Sequence, residues 1–538
     1  MPKRRTRATI GALASAALLC SLLAGPLSPA QARKAGIGKR PNILVVMTDD
    51  QALADMQHMP NVEKLLVRKG TSFTNAVDSF PLCCPARATF ITGQYAHNHG
   101  VAGNFYPYGW YGMKRRGDTL PHWLQKAGYR TALIGKWLNG YGARDGHGEV
   151  PVGFSIWRGL LDVSAYDYFN FVMNVNGKLR IWGDREFAQD LVRFAKIEVS
   201  PGVTTVAQLL AWAASIFTPG YYGTENREDY SPDVTGAIAQ RLVRRQAKSR
   251  RPFFIWWAPA APHREDVATT ILGRPGADPR PAPRYRKLSE SFVLPRPPSF
   301  NYSDPADPDS KVAQLPAMTA GQINQLELDY QGRLGSLRAV DDHVRRIVQI
   351  LRETGQFRNT LIVFLSDNGW VQGQHRIPGD KFTPYEESIL VPFVLRGPGI
   401  PRGRTIGKQV SNIDFARTLL DAAGARPGRT QDGISLLPVA RHPSRAPDRA
   451  IELEATAPLF AGDGFPMSYD QPYQGVRTSR YKYVVWSYGA RELYDLRKDP
   501  YEMHNKVADP AYASIKRRLQ GKLKRLEDCK GAACIVSP

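Results

Sequence analysis

Cysteine is scarce: the chain has 538 residues and five cysteines. Its thiols and imidazoles never fall into the finger-like spacings a four-ligand zinc site uses. A membrane-spanning run is missing too. Ile10–Ala24 is apolar and uncharged but too short, and nothing after it qualifies. No internal repeat is visible. Acids are outnumbered, 49 against 72 Lys and Arg, for a net charge of +23. That balance fits an anionic substrate, a cell-wall polymer or nucleic acid, and equally plain solubility. No basic run is interleaved with aromatics, so nothing specific argues for nucleic acid.

The first residues speak to the compartment. Lys3, Arg4, Arg5 and Arg7 precede the Ile10–Ala24 run, and Ala30-Gln31-Ala32 offers a small-x-small cleavage site. Residues 1–32 read as a removable signal peptide, so the mature protein is expected to be secreted or periplasmic, without a membrane anchor. Cys20 lacks the small residues of a lipidation site, and the residues after Arg4-Arg5 fit the twin-arginine route poorly. Removing the four basic residues lowers the charge from +23 to +19. Cys83, Cys84, Cys529 and Cys534 remain. In an exported chain the terminal "CKGAAC" reads as a small Cys529–Cys534 disulfide loop. Adjacent cysteines bridge only under strain, which leaves Cys83 and Cys84 without an ordinary structural job.

Four apolar runs read as strands buried on both faces, and each ends in polar chemistry. "NILVVMTDDQ" ends at Asp49-Asp50 and "RTALIGKWLN" at Lys136; "PFFIWWAPAAPH" ends at His263 and "TLIVFLSDNG" at Asp367-Asn368. Helical patterns lie between them. Over 322–354, Leu334, Leu337, Val340, Val344, Ile347, Val348 and Leu351 form one stripe that Gly355 stops. Alternating strands and helices imply an α/β doubly wound sheet, whose ligands sit beyond the carboxyl ends of the strands. Residues 185–222 read as an insertion and 264–316 as a long loop across the sheet. From about 440 the pattern changes to a small antiparallel sheet followed by a basic helix at 511–527. The expected organisation is a catalytic domain at 40–440 and a C-terminal subdomain at 441–538.

"CCPARATFITG" opens a helix: Pro85 suits its first turn and Gly93 its end. Cys83 then lies near a helix N-terminus, where free N–H groups favour an anion, and Arg87 falls on the same face. Together they could receive a tetrahedral oxyanion. Asp49, Asp50, Asp367 and Asn368 offer only oxygen, which points to a hard cation such as Ca²⁺ or Mg²⁺. Asp-Asp pairs are common by chance; two acidic pairs that both close buried strands are less so. Lys136 and Lys381 could bind further anion oxygens or simply be solvated. His263 could protonate a leaving group or be a hydrogen-bonded histidine at a strand end.

Taken with "GQYAHNHGV", "GDKFTPYEESILVPFVLRGPGI" and "ELYDLRKDPYEMHN", these motifs resemble the type I sulfatases of the alkaline phosphatase superfamily, the N-acetylglucosamine-6-sulfatase group above all. The resemblance spans most of residues 40–530 and gives the two cysteines a reason. It implies that a formylglycine-generating enzyme oxidises Cys83 to formylglycine (3-oxoalanine) before folding. The hydrated aldehyde would attack sulfur and later expel sulfate. It also implies Asp49, Asp50, Asp367, Asn368 and residue 83 as calcium ligands, with Arg87 supporting the hydrate. Lys136, His263 and Lys381 would hold sulfate, His263 also acting as general acid.

Two positions depart from the family. Ala86 stands where Ser is usual, although Cys83-x-Pro85-x-Arg87 is intact. Leu138 replaces the second histidine of many arylsulfatases; the N-acetylglucosamine-6-sulfatase group also carries Leu-Asn here, so Asn139 is the substitute. His97 and His99 are candidates for the base that releases sulfate, or for substrate contacts. "GKWLNGYG", "VPVGFSIW" and "YDYFNFVMNVNGK" follow the same group and are placed to form the rim around the alcohol. The expected substrate is a carbohydrate sulfate of the N-acetylglucosamine 6-sulfate type. The rivals are an arylsulfatase, a phosphonate or phosphate monoester hydrolase on the same fold, and a non-catalytic glycan-binding relative.

Overall fold

The four apolar runs become neighbouring strands of one sheet. The computed structural model describes residues 40–537 except 105–106, 143–147, 163, 184–228, 266–278, 305–306, 308, 311 and 457–470. The expected signal peptide and the insertion expected at 185–222 lie outside the described residues. The sheet has ten strands in the order β11 (Arg404–Ile406), β2 (Thr71–Phe73), β10 (Phe393–Arg396), β9 (Thr360–Ser366), β1 (Asn42–Thr48), β8 (Phe253–Ala258), β4 (Arg130–Gly135), β5 (Ile156–Leu160), β6 (Phe171–Val175) and β7 (Lys178–Trp182). Strands β9, β1, β8, β4 and β5 run parallel. The sheet is mixed: β10 is antiparallel to both β9 and β2, and β6 and β7 are antiparallel to their neighbours. A separate two-strand pair joins β3 (Ala76–Val77) to β12 (Val410–Ser411).

Side chains alternate across a strand, and here both faces are dry. Ile43, Val45, Met47, Trp256, Val363 and Leu365 pack with Phe90, Leu124, Phe415 and Leu419. Those four come from α1 (Cys83–Thr92), α2 (Leu120–Lys126) and α5 (Ile413–Ala423). Leu44, Val46, Ile255, Trp257, Ile362 and Phe364 pack on the other side against α3 (Ser231–Gln246) and α4 (Ala320–Glu353). The expected stripe of α4, from Leu334 to Leu351, is buried throughout. Its start is fixed by a Thr319–Gln322 capping box, which satisfies two otherwise free N–H groups. The described part of the 264–316 loop lies along α4: Gln331 donates to the carbonyls of Glu290 and Phe292.

Strands β13 (Ile451–Ala455), β14 (Tyr473–Arg477), β15 (Tyr481–Trp486) and β16 (Arg491–Asp495) form the small antiparallel sheet in sequence order. Leu519, Leu523 and Leu526 of α6 (Ala513–Leu526) cover it, together with the Cys529–Cys534 disulfide. Pro41–Pro538 forms one compact unit. Among the described residues, no helix is long and apolar enough to cross a membrane.

Candidate active site

Every strand that ends in polar chemistry ends at the same place. Asp49 and Asp50 follow β1, and Asp367 and Asn368 follow the adjacent β9. Asp50 has a φ of +64°, a left-handed turn that aspartate tolerates better than most residues. Its N–H donates to Asp367 Oδ1 at 3.1 Å, while Asn368 Nδ2 donates to Asp50 Oδ1 at 2.8 Å. Lys136 follows Gly135, whose φ of +106° and approach to Ala258 only glycine permits; a Cβ would lie 2.0 Å from the Ala258 carbonyl oxygen.

Cys83 opens α1, all ten residues of which are buried. Its Sγ lies 2.9 Å from Lys381 Nζ and 3.4 Å from Asp49 Oδ1. Arg87, one turn on, places Nε 2.7 Å from Asp367 Oδ2 and Nη2 3.5 Å from Asp49 Oδ2. Lys136 Nζ is 2.5 Å from Asp49 Oδ2, and Lys381 Nζ is 2.5 Å from Asp50 Oδ1. The loop position of Lys381 therefore does not leave it solvated. His263 Nε2 is 3.3 Å from Asp50 Oδ2, and its Nδ1 lies 2.6 Å from the Arg264 carbonyl oxygen. Since a carbonyl only accepts, Nδ1 carries the proton and Nε2 faces the cluster.

The electrostatics follow from burial. Desolvation would raise Asp49, yet Lys136 and then Arg87 outweigh it and hold the carboxyl down to about 2. For Asp50, Lys381 and then His263 likewise outweigh burial and keep its pKa low. Burial pushes His263 down to about 4, with Asp50 opposing. Burial, then Asp49, drives the Cys83 thiol far upward, so an unmodified sulfur here is a poor nucleophile. Three carboxylates (Asp49, Asp50, Asp367) meet three permanent cations (Arg87, Lys136, Lys381), leaving no surplus positive charge for an oxyanion.

The donor set fits a hard cation. Asp50 Oδ2 and Asn368 Oδ1 are buried and accept no hydrogen bond, and Asp49 Oδ2 is buried against the Lys136 and Arg87 cations. Ligand atoms of Asp49, Asp50, Cys83 and His263 lie within 4.8 Å of one another. Buried oxygens without donors are costly unless a cation satisfies them.

Asn139 reaches the cluster indirectly: its Nδ2 donates to Tyr166 Oη at 2.5 Å. Tyr166 is a site residue the sequence reading did not single out. Its ring centroid is 4.2 Å from that of His263 and 4.3 Å from Lys136 Nζ. The only signal was its place in the quoted rim segment. His97 and His99 require correction, because both rings are occupied elsewhere. His97 sits between Glu454 Oε1 at 2.6 Å and the Cys529 carbonyl at 2.9 Å. His99 bonds Thr89 Oγ1 at 3.0 Å and accepts from the Val101 N–H at 3.1 Å. Both rings thus take partners other than the strand-end carboxylates.

Comparison with known proteins gives the family. Residues 41–425 match the sulfatase family model, and 373–529 match the N-sulphoglucosamine sulphohydrolase C-terminal model. The human N-acetylglucosamine-6-sulfatase is 30% identical over 92% of this chain and 86% of its own length. A protein solved with its substrate D-glucosamine-2-N,6-O-disulfate superimposes with a TM-score of 0.67 at 22% identity, covering 91% of this chain and 98% of that one. The Agrobacterium radiobacter phosphonate monoester hydrolase gives 0.63 at 23% identity, covering 91% and 95%; these two show the shared fold. The extent of the family match, over a strand-end cluster of carboxylates and cations around Cys83, establishes that the chain belongs to the sulfatase family and is a sulfuric ester hydrolase.

Proposed function

We propose that the chain hydrolyses carbohydrate sulfate monoesters of the N-acetylglucosamine 6-sulfate type, with residue 83 as formylglycine beside one Ca²⁺. The observation that carries this reading is the convergence of Cys83, three permanent cations and the buried oxygens of Asp49, Asp50 and Asn368 on one point. Asp49, Asp50, Asp367 and Asn368, with residue 83, would hold the cation, which supplies positive charge for the transferring group. Hydrated formylglycine supplies an oxygen nucleophile where the buried thiol supplies none. Cys83 has no exposure, so a formylglycine-generating enzyme would have to meet the chain before it folds.

The protein's own groups do the rest. Lys136 and Lys381 orient the sulfuryl oxygens from two sides, and Arg87 holds Asp49 and Asp367 in place. His263, with Nδ1 fixed as donor by the Arg264 carbonyl, presents Nε2 to the departing alcohol and would deliver a proton there from its doubly protonated, imidazolium form. Tyr166 packs on His263 and orders Asn139 at the rim. Preorganised charges of this kind are the usual largest catalytic contribution. The curated relative named for N-acetylglucosamine 6-sulfate supports the sugar preference.

The test has three arms. The mass of the peptide spanning residue 83 should show the aldehyde; an unmodified thiol in active protein overturns formylglycine. Chelation should abolish turnover and lower Tm, with Ca²⁺ restoring both; full activity after exhaustive chelation removes the cation. Finally, kcat/KM should favour N-acetylglucosamine 6-sulfate over nitrophenyl sulfate. Aryl turnover without sugar turnover would overturn the glycan reading alone.

A further inference from the structure

A second cluster of charge lies at the opposite end of β9. Its seven residues span about 20 Å, with Asp367 beyond one end and a cleft of ≈ 400 Å³ at the other. Arg352 from the last turn of α4, Arg358 before β9, Arg396 at the end of β10 and Arg402 in the next loop line it, together with Phe357. Among the described residues none of the four arginines forms an ion pair. Glu353, the acid next to Arg352, is taken by Arg244 at 3.0 Å.

The arrangement is built rather than incidental. Arg396 is only 7% exposed. Its guanidinium carbon sits 3.4 Å from the Phe357 ring centroid, while Nη1 donates to the Phe357 carbonyl oxygen at 2.7 Å. Arg352 stacks on the same ring, 4.8 Å from its centroid. Stacking fixes a planar fork of donors without neutralising it. Burial first, and then the like charges of Arg402 and Arg352, pulls Arg396 down to about 10. Like charges gathered around a cleft, with no acid among them, are unfavourable until an anion arrives.

We propose that this arginine cleft is a second binding site, separate from the strand-end cluster, for a tetrahedral oxyanion: sulfate or phosphate, free or as an ester. Guanidinium forks match such oxyanions geometrically. The proposal does not rest on the reaction at residue 83, and its readout is binding.

The test measures fluorescence anisotropy of a labelled heparin octasaccharide with the full chain, and its displacement by sodium sulfate or phosphate at constant ionic strength. Arg352→Gln/Arg402→Gln alters two exposed residues. Arg517→Gln/Arg518→Gln on α6 removes the same charge elsewhere. The first pair should weaken binding roughly tenfold or more, as expected for losing charged hydrogen bonds. The second pair should change binding little, and nitrophenyl sulfate turnover should persist in both. Displacement by inorganic sulfate at concentrations comparable to the octasaccharide makes the free ion the ligand. A large octasaccharide advantage makes it the ester. Equal weakening by both pairs, or by neither, overturns the site.

Discussion

Cys83 and Cys84 are both buried, yet one residue separates different environments. Cys83 Sγ meets Lys381 and Asp49, whereas Cys84 Sγ faces the Asn139 carbonyl at 3.8 Å. Cys83→Ala should therefore abolish turnover and aldehyde labelling, and Cys84→Ala should keep most of both. Labelling that survives Cys83→Ala would reassign the modified residue. Asp367 accepts from the Asp50 and Asn368 N–H groups and from Arg87. Asp367→Ala leaves those donors buried without a partner, so stability should fall by about 3–5 kcal/mol and turnover roughly a thousandfold. Circular dichroism separates a folded, inactive variant from an unfolded one. A folded variant with near-normal turnover would remove Asp367 from the site.

At the scale of elements, periodicity carried the reading where burial is two-sided. The runs of β1, β4, β8 and β9 were legible because strands dry on both faces must be apolar throughout. The antiparallel flanks were not, since β2 and β10 are only three and four residues long and their direction depends on pairing. The path of the 264–316 loop was equally hidden. Helix α4 accepts it at Gly332, where an added Cβ would fall 1.8 Å from the Pro279 carbonyl oxygen. Helix propensity favours alanine by about 1 kcal/mol, but the backbone collision dominates. Gly332→Ala should destabilise by about 1–3 kcal/mol, read as a lower urea midpoint at unchanged slope. A stabilised variant would show that the loop does not pack there.

Across the whole molecule, remote segments create groups that no segment contains. Glu492 of β16 accepts from Trp486 Nε1 at 2.9 Å, with Ser310, Tyr385 and Tyr494 hydroxyls within 3.4 Å. Burial is the main cause that raises its pKa to about 7, against the Trp486 hydrogen bond. A carboxyl raised on folding binds its proton more tightly in the native state. The associated stability is present below the unfolded value of about 4.3 and is lost as pH rises toward 7. Glu492→Gln should thus gain Tm relative to the parent between pH 5 and pH 8. A constant difference across that range would show that Glu492 is ionised throughout.

The sequence alone carried the parallel centre of the sheet, the α4 stripe, the disulfide loop and the identity of the clustered strand-end residues. These depend on apolar periodicity and on chemistry that sits beside a strand end. It could not tell which histidines face the cluster, because His97, His99 and His263 are alike until packing supplies partners. Folding gives His97 to Glu454 and His99 to Thr89, and leaves only His263 directed at Asp50. Tyr166 and the arginine cleft were hidden for the same reason. Arg352 and Arg396 are 44 residues apart in sequence, and only the antiparallel return of β10 against β9 brings them to the Phe357 ring.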